Sequence, residues 1–365
     1  MIWAVLLECA GLALLALGGE LLVRGAARLA AWAQISSLVI GLTVVAFGTS
    51  APELAIAVKS AYVGQADLAV GNAVGSNICN VLLILGVSAL IAPATVSSRL
   101  LWVDVPVMIG VSAALFVAGI GGSLSRLEGI VFFLALVGYV VWTVRAGRHE
   151  PPEVIEEYEH EFAAAKPRTR WGLLLHFGQI VVGLILLSVG ADWMVDGAVT
   201  IARFLGVSEL MIGLTVVAVG TSLPEVAATV VASIRGERNI AVGNIVGSNI
   251  FNILCVLGLA AAVSPDGLAI SPTAMSFDIP LMIVVAAACL PIFFTGHRIA
   301  RWEGAAFVAY YAAYVAYLIL DATNEQMSRT LGVFVAGFAF PLTFITIAVG
   351  TVRYARELRH RKAAG

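Results

Sequence analysis

Apolar residues fall into eleven long stretches along this chain, with short polar breaks between them. Their approximate limits are 3–23, 37–63, 68–91, 102–120, 128–145, 172–195, 209–234, 240–263, 278–295, 303–320 and 330–351. A helix of about 20 residues crosses a hydrocarbon core of about 30 Å, so each stretch is a candidate span. The period-two alternation of a transmembrane barrel is absent, which leaves helices as the expected elements. The pattern also repeats. Residues 41–90 and 213–262 align at a constant offset of 172 without a gap, and 28 of the 50 positions are identical.

The similarity extends beyond that segment. Gly18, Gly25 and Ala26 match Gly190, Gly197 and Ala198. Asp104 with Pro106 is echoed by Asp278 with Pro280, and Arg126-Leu-Glu128-Gly129 by Arg301-Trp-Glu303-Gly304. The repeating unit therefore holds five spans, and the eleventh stretch lies outside it. An odd number of spans forces the second copy to enter the membrane upside down, the inverted repeat of secondary transporters. The expected fold is an all-α polytopic membrane protein with two inverted five-helix repeats, a ten-helix core, and one extra C-terminal transmembrane helix. The expected division is 1–145 for the first repeat, 146–170 for a linker, 171–320 for the second repeat, 330–351 for the extra helix and 352–365 for a basic tail.

Composition agrees with this reading. The chain of 365 residues is 60% hydrophobic and 12% charged, whereas soluble domains carry about 25% charged residues. The lipid bilayer is the expected partner, and nucleic acid is not. With the N-terminus outside, 17 of the 21 Lys and Arg fall on the cytoplasmic side, and only Lys59, Arg126, Arg203 and Arg329 on the other. That bias supports an N-out, C-in arrangement. The linker's acidic run (Glu153, Glu156, Glu157, Glu159, Glu161) reads as a solvated segment. Residues 2–19 lack the basic start of a signal peptide and belong to the repeat, so they are expected to stay. Cys9, Cys79, Cys255 and Cys289 read as small apolar packing residues.

Each copy places one glutamate, Glu53 or Glu225, in an apolar span. A buried carboxylate needs a proton or a cation, and an ionisable group inside a membrane marks a functional site. The sequence before each acid is AFGTSAPE or AVGTSLPE. Proline removes a backbone donor, so the helix should break near Gly48–Pro52 and again near Gly220–Pro224. Ala46, Ser50 and Glu53 share one helical face, with Thr49 adjacent, and Ser76 and Asn80 share another. The second copy supplies Ala218, Thr221, Ser222, Glu225, Ser248 and Asn252. These are two carboxylates, two amides, hydroxyls and backbone carbonyls, with no His or Cys. An all-oxygen set suits hard cations. Two glutamates match the charge of Ca2+, which takes 6–8 oxygens, and the same oxygens suit Na+ when Ca2+ is absent.

Other repeated residues have plainer readings. The Gly71/Gly75 and Gly243/Gly247 pairs read as helix packing. Asn72, Asn77, Asn244 and Asn249 read as structural caps. Glu20 and Asp192 lie near span ends and read as structural or vestibule residues. The five histidines lie in polar segments or at span starts, and no catalytic arrangement is evident, so the chain is not expected to be an enzyme. Buried acids in an inverted repeat argue against an uncoupled channel.

GTSAPE with GNAVGSNICN, and GTSLPE with GNIVGSNIFN, resemble the two alpha-repeats of the calcium/cation antiporter superfamily. Within it the chain is similar to prokaryotic sodium/calcium exchangers over roughly residues 1–320. The resemblance implies antiport by alternating access, with three Na+ entering per Ca2+ leaving. Ca2+ and Na+ are then the transported ions, and no cofactor is implied. Glu53 and Glu225 would be the principal Ca2+ ligands, and Thr49 and Thr221 would contribute through the backbone. Ser50, Ser76, Ser222 and Ser248 would line Na+ sites, Ala46 and Ala218 would offer carbonyls, and Asn80 and Asn252 would complete the centre. Some relatives carry Asp where this chain has Asn252. Proton-coupled members typically carry a Glu in the second motif. The resemblance thus favours Na+ as the coupling ion, with an H+/Ca2+ or broader divalent exchanger as the alternative.

Overall fold

The structure, a computed structural model, describes residues 2–147, 170–294 and 298–323, together with 327 and 332. The expected eleventh span, the basic tail and nearly all of the linker lie outside the described residues. The first half consists of α1 (Ile2–Ala33), α2 (Ser37–Thr49), α3 (Ala51–Tyr62), α4 (Ala66–Ile91), α5 (Leu100–Gly119) and α6 (Arg126–Gly147). The second consists of α7 (Arg170–Phe204), α8 (209–220), α9 (Leu223–Ile234), α10 (Arg238–Val263), α11 (Ala274–Phe294) and α12 (Arg301–Thr323). Among the described residues, eight of these helices are long and apolar enough to cross a membrane alone, and the bent pair α2–α3 makes a ninth span. The pair α8–α9 is its counterpart in the repeat.

Two helices outrun the spans read from hydropathy. α1 continues past residue 23 to Ala33, and α7 past residue 195 to Phe204. Arg24, Arg28 and Asp196 interrupt the apolar run, but long charged side chains do not break a helix. Chain reversal comes later, where the backbone enters the left-handed region at Gln34 (φ 53°) and Gly206 (φ 79°).

The inversion is visible in the packing. α1 and α7 are equivalent helices and lie antiparallel. A Cβ on Gly11 would meet the Gly190 carbonyl at 2.8 Å, one on Gly18 the Gly183 carbonyl at 2.8 Å, and one on Gly25 the His176 carbonyl at 3.0 Å. Glycine at these heptad-spaced positions is what lets the two backbones approach. Two short antiparallel ladders make the same point. Ala94–Thr95 (β1) pairs with Arg298–Ile299 (β4), and Ser123–Leu124 (β2) pairs with Leu268–Ala269 (β3). The loop after α4 in one half thus meets the loop before α12 in the other. The bundle has two ends. The Ala66 end carries the starts of α1, α4 and α6 and the end of α10. The Ile91 end carries the starts of α2, α7, α10 and α12.

α4 and α10 form the buried centre, while α1, α6, α7 and α12 turn apolar residues such as Leu6, Leu134, Ile185 and Trp302 outward. The repeated Arg-x-Glu-Gly motif is structural. At the start of α6 the Ser125 N–H and hydroxyl both donate to Glu128, and the Glu128 N–H donates back to Ser125, a capping box. The Ala300 N–H likewise donates to Glu303. The following glycines allow close approach, because a Cβ on Gly129 would meet the Gly258 carbonyl at 2.5 Å and one on Gly304 the Gly86 carbonyl at 2.6 Å. Asp104 is buried and accepts the Tyr139 hydroxyl at 3.0 Å, with Arg99 3.7 Å away. It holds α5 to α6.

Candidate cation site

The expected helix break exists in both halves. α2 and α3 meet at Ser50 with a bend of 46°. Ser50 has φ −82° and ψ 5°, and Ser222 has φ −92° and ψ 5°. Proline then sits at the start of the new helix, where its missing N–H costs nothing. Glu53 and Glu225 occupy the first turns of α3 and α9. Unpaired N–H groups there carry a partial positive charge that favours a carboxylate.

π-helical turns flank the site. They run over Gly41–Val45 and Gly213–Val217, just before Ala46 and Ala218. Two more run over Asn80–Leu85 and Asn252–Leu257, each opening on a site amide. A further pair covers Leu100–Asp104 and Ala274–Asp278. A π-turn inserts one residue and rotates the helix face beyond it, a device common at functional sites. Hydropathy carries no signal for such an insertion.

The two acids come together at the centre, near enough for their charges to repel, and both are fully buried. None of their four carboxylate oxygens has a hydrogen bond of normal geometry, and the Asn80 and Asn252 amide oxygens and the Ser50 hydroxyl are likewise buried without partners. Thr49 and Ser50 lie against Glu225. Ser222 donates to Ser76 at 3.3 Å, and Thr49 and Ser248 are 3.4 Å apart. The structure therefore gathers Glu53, Glu225, Thr49, Thr221, Ser50, Ser222, Ser76, Ser248, Asn80 and Asn252 around one interface between the halves. Unpartnered buried oxygens are costly, and a hard cation is the natural partner for them.

The Ala46 carbonyl accepts the Ser50 N–H at 3.1 Å, which leaves it a second lone pair. In the second half the Ser222 N–H turns to the Val219 carbonyl instead, at 3.1 Å. Ala218 follows the π-turn as Ala46 does.

Four asparagines read from sequence as caps belong to the site. Asn80 donates to the Asn249 amide oxygen at 3.2 Å, and Asn252 to that of Asn77 at 3.1 Å. These crossed bonds occupy the NH2 groups of Asn80 and Asn252 and leave their oxygens for the centre. Thr49 donates to Asn244 at 3.2 Å, and Thr221 to Asn72 at 3.2 Å. For Asn72 and Asn244 the signal was present in the sequence. Asn72, Ser76 and Asn80 stand four residues apart on one helical face, as do Asn244, Ser248 and Asn252.

Glu20 is outside this constellation. It pairs with Arg24 and with Arg235, just past α9. The glycine pairs divide as well. A Cβ on Gly243 would meet the Leu38 carbonyl at 3.0 Å and one on Gly247 the Leu42 carbonyl at 2.8 Å, while Gly71 and Gly75 have nothing within 4 Å. The expected packing role holds only for the second pair. α2 closes on α10 at the Ile91 end, whereas α8 stands away from α4 at the Ala66 end.

Known proteins share this architecture. The family profile described as sodium/calcium exchanger protein matches residues 3–145 and 175–320. An inner membrane protein of Escherichia coli is 40% identical over 286 residues, 78% of this chain and 87% of that protein. A sodium/calcium exchanger of Methanosarcina acetivorans is 33% identical over 338 residues, 84% of this chain and 96% of its own. The solved structure of the sodium/calcium exchanger from Methanococcus jannaschii superposes with a TM-score of 0.73 at 32% identity, covering 86% of this chain and 98% of that one. The chain belongs to the sodium/calcium exchanger protein family.

Proposed function

We propose that this chain is a secondary active antiporter that exchanges Na+ for Ca2+ across a prokaryotic inner membrane. The observation that carries the reading is the set of unpartnered oxygens at the centre, contributed by both halves. Two carboxylates neutralise one Ca2+, and the hydroxyls and amide oxygens complete a coordination sphere of 6–8 oxygens. Without Ca2+ the same oxygens hold Na+. Empty, the site would leave two carboxylates facing each other in a dry interior, a state that strongly opposes crossing. Exchange follows from that penalty.

Access alternates between the Ala66 end, open beside α8, and the Ile91 end, closed by α2. With the N-terminus outside and the C-terminus in the cytoplasm, the open end faces outward. Residues 1–145 and 171–320 act as the two inverted units, with Thr49, Thr221, Ala46 and Ala218 adding backbone oxygens. Three Na+ entering per Ca2+ leaving would move one positive charge inward, a drive of about 2.3 kcal/mol per 100 mV.

The test is flux. Na+-loaded proteoliposomes should take up 45Ca2+, and uptake should vanish without a Na+ gradient. Uptake driven by a pH gradient alone would replace Na+ with H+ as the coupling ion. Glu53→Gln and Glu225→Gln should each lower flux at least about a hundredfold, the cost of unbalancing a buried charge site.

A further inference from the structure

The half of α9 that lies towards the Ile91 end carries a line of hydroxyls with no equivalent in the other half. Asn244, which accepts from Thr49 in the central site, donates to the Thr229 hydroxyl at 3.2 Å. One turn on, the Ser233 hydroxyl donates to the Thr229 carbonyl at 2.7 Å. That bond uses the Ser233 proton, so the 2.7 Å bond between Ser233 and Ser88 of α4 is donated by Ser88. Thr229, Ser233 and Ser88 are all buried. Together they extend from the central oxygens to within one or two turns of the helix ends, at the end where the bundle is shut.

The repeat supplies an internal control. At the offset of 172, Thr229, Ser233 and Ser88 correspond to Ala57, Ala61 and Ala260. These alanines are buried too, so packing at these positions does not require hydroxyls. Asn72, the equivalent of Asn244, finds no hydroxyl at Ala57, and its NH2 group is buried without a partner. Ser60, which the second half replaces with Ala232, sits one residue round the helix from the alanine line. Membrane helices carry buried hydroxyls for helix contacts, but three at one end facing three alanines at the other is a difference between two routes to the same site.

We propose that Thr229, Ser233 and Ser88 line a cation transit path on the Ile91 side, selective for an alkali cation. The line has no carboxylate. Neutral hydroxyl and carbonyl oxygens replace part of a Na+ hydration shell, while Ca2+ is held by the paired acids above them. When α2 withdraws from α10, a Na+ leaving the centre meets this stepped set of oxygens, whereas at the Ala66 end it passes directly from the site to the open gap. The two faces should then differ in apparent Na+ affinity. The inference rests on the exchange reading above.

The experiment measures Na+-dependent 45Ca2+ flux in right-side-out and everted vesicles, titrating Na+ on one face at a time. In Thr229→Ala, Ser233→Ala and Ser88→Ala variants the half-saturating Na+ concentration should rise by about threefold to tenfold on the Ile91 face only, the range for one lost oxygen partner. The Ala66 face should be unchanged, as should the Ca2+ dependence on both faces. The reciprocal variant Ala57→Thr/Ala61→Ser/Ala260→Ser should tighten Na+ on the Ala66 face. Equal shifts on both faces, or no shift in stably folded variants with unchanged melting temperature, would overturn the path. Should wild-type flux show no dependence on Na+, the exchange reading itself fails, which is a distinct result.

Discussion

Residues 41–46 and 213–218 have the same sequence, GLTVVA, and opposite surroundings. A Cβ on Gly41 would meet the Ile240 carbonyl at 2.9 Å, while Gly213 has nothing within 4 Å. The helices they face differ in the same way. Gly243 and Gly247 are buried against α2, and Gly71 is exposed. Identical residues cannot encode opposite packing by themselves. The segment is compatible with both arrangements, and the bundle holds one at each end. A site reached from one end at a time needs that property: two packings of one sequence with a small free-energy difference between them, which bound ions can bias.

Substitutions at the paired glycines should break this comparison most sharply. Gly247→Leu forces a side chain into backbone already 2.8 Å away. Overpacking of that kind costs about 1–3 kcal/mol or more, so the melting temperature should fall. Gly75→Leu meets open space in the present arrangement and should leave the melting temperature near wild type. It should instead prevent α8 from closing on α4, so that turnover drops by at least about tenfold, as overpacking the closed state by a similar amount implies. Flux and thermal melting on the two variants separate the cases. Equal thermal losses would mean that the two ends are packed alike.

The same comparison explains what the sequence made legible. The repeat, the inversion and the two acids were readable because each is recorded in residue identity: Glu53 and Glu225 stand out in apolar spans, and Pro52 and Pro224 announce the breaks. The π-turns at Gly41, Asn80 and their counterparts were not readable. They change the number of residues per turn without changing hydropathy, and their cost is met by tertiary packing. The roles of Asn77 and Asn249 were hidden for a different reason. Within its own helix such an amide caps or packs. Their partners lie across the interface, on the other half. The open end was invisible altogether, because GLTVVA is written identically at both places.

The amide crossing is the symmetric element that the ends are not, and it offers a second test. Asn77→Ala removes the acceptor that orients Asn252, and Asn249→Ala the one that orients Asn80. Each frees an NH2 group to turn its positive edge toward the cation. Loss of one such hydrogen bond amounts to about 0.5–1.5 kcal/mol, so the half-saturating Ca2+ concentration should rise by about threefold to tenfold in either variant. Similar changes from the two substitutions would sharpen the contrast between a symmetric centre and asymmetric ends. A large effect from one and none from the other would place the asymmetry inside the site itself.

The smallest effect belongs to the ion pair that ties α1 to α9. Glu20 bridges Arg24 and Arg235, and both arginines are about half exposed, at 50% and 46%. At the offset of 172 these three correspond to Asp192, Asp196 and Val63. The closed end therefore has an acid between two bases, and the open end two acids without a base at the matching places. Exposed pairs contribute about 0–1 kcal/mol, enough to tilt an equilibrium between two near-equal packings by up to about fivefold and too little to hold a fold together. Glu20→Gln should shift the bundle modestly toward opening at the Ile91 end, and the shift should shrink in high salt as the wild-type pair is screened. Val63→Arg should act in the same sense, by giving Asp192 a base at the Ala66 end and favouring closure there. Labelling of a reporter cysteine placed at Gly71 reads this directly: Glu20→Gln and Val63→Arg should both slow it, because each moves the population away from the Ala66-open arrangement. If either substitution speeds labelling, the ion pair does not contribute to the difference between the ends.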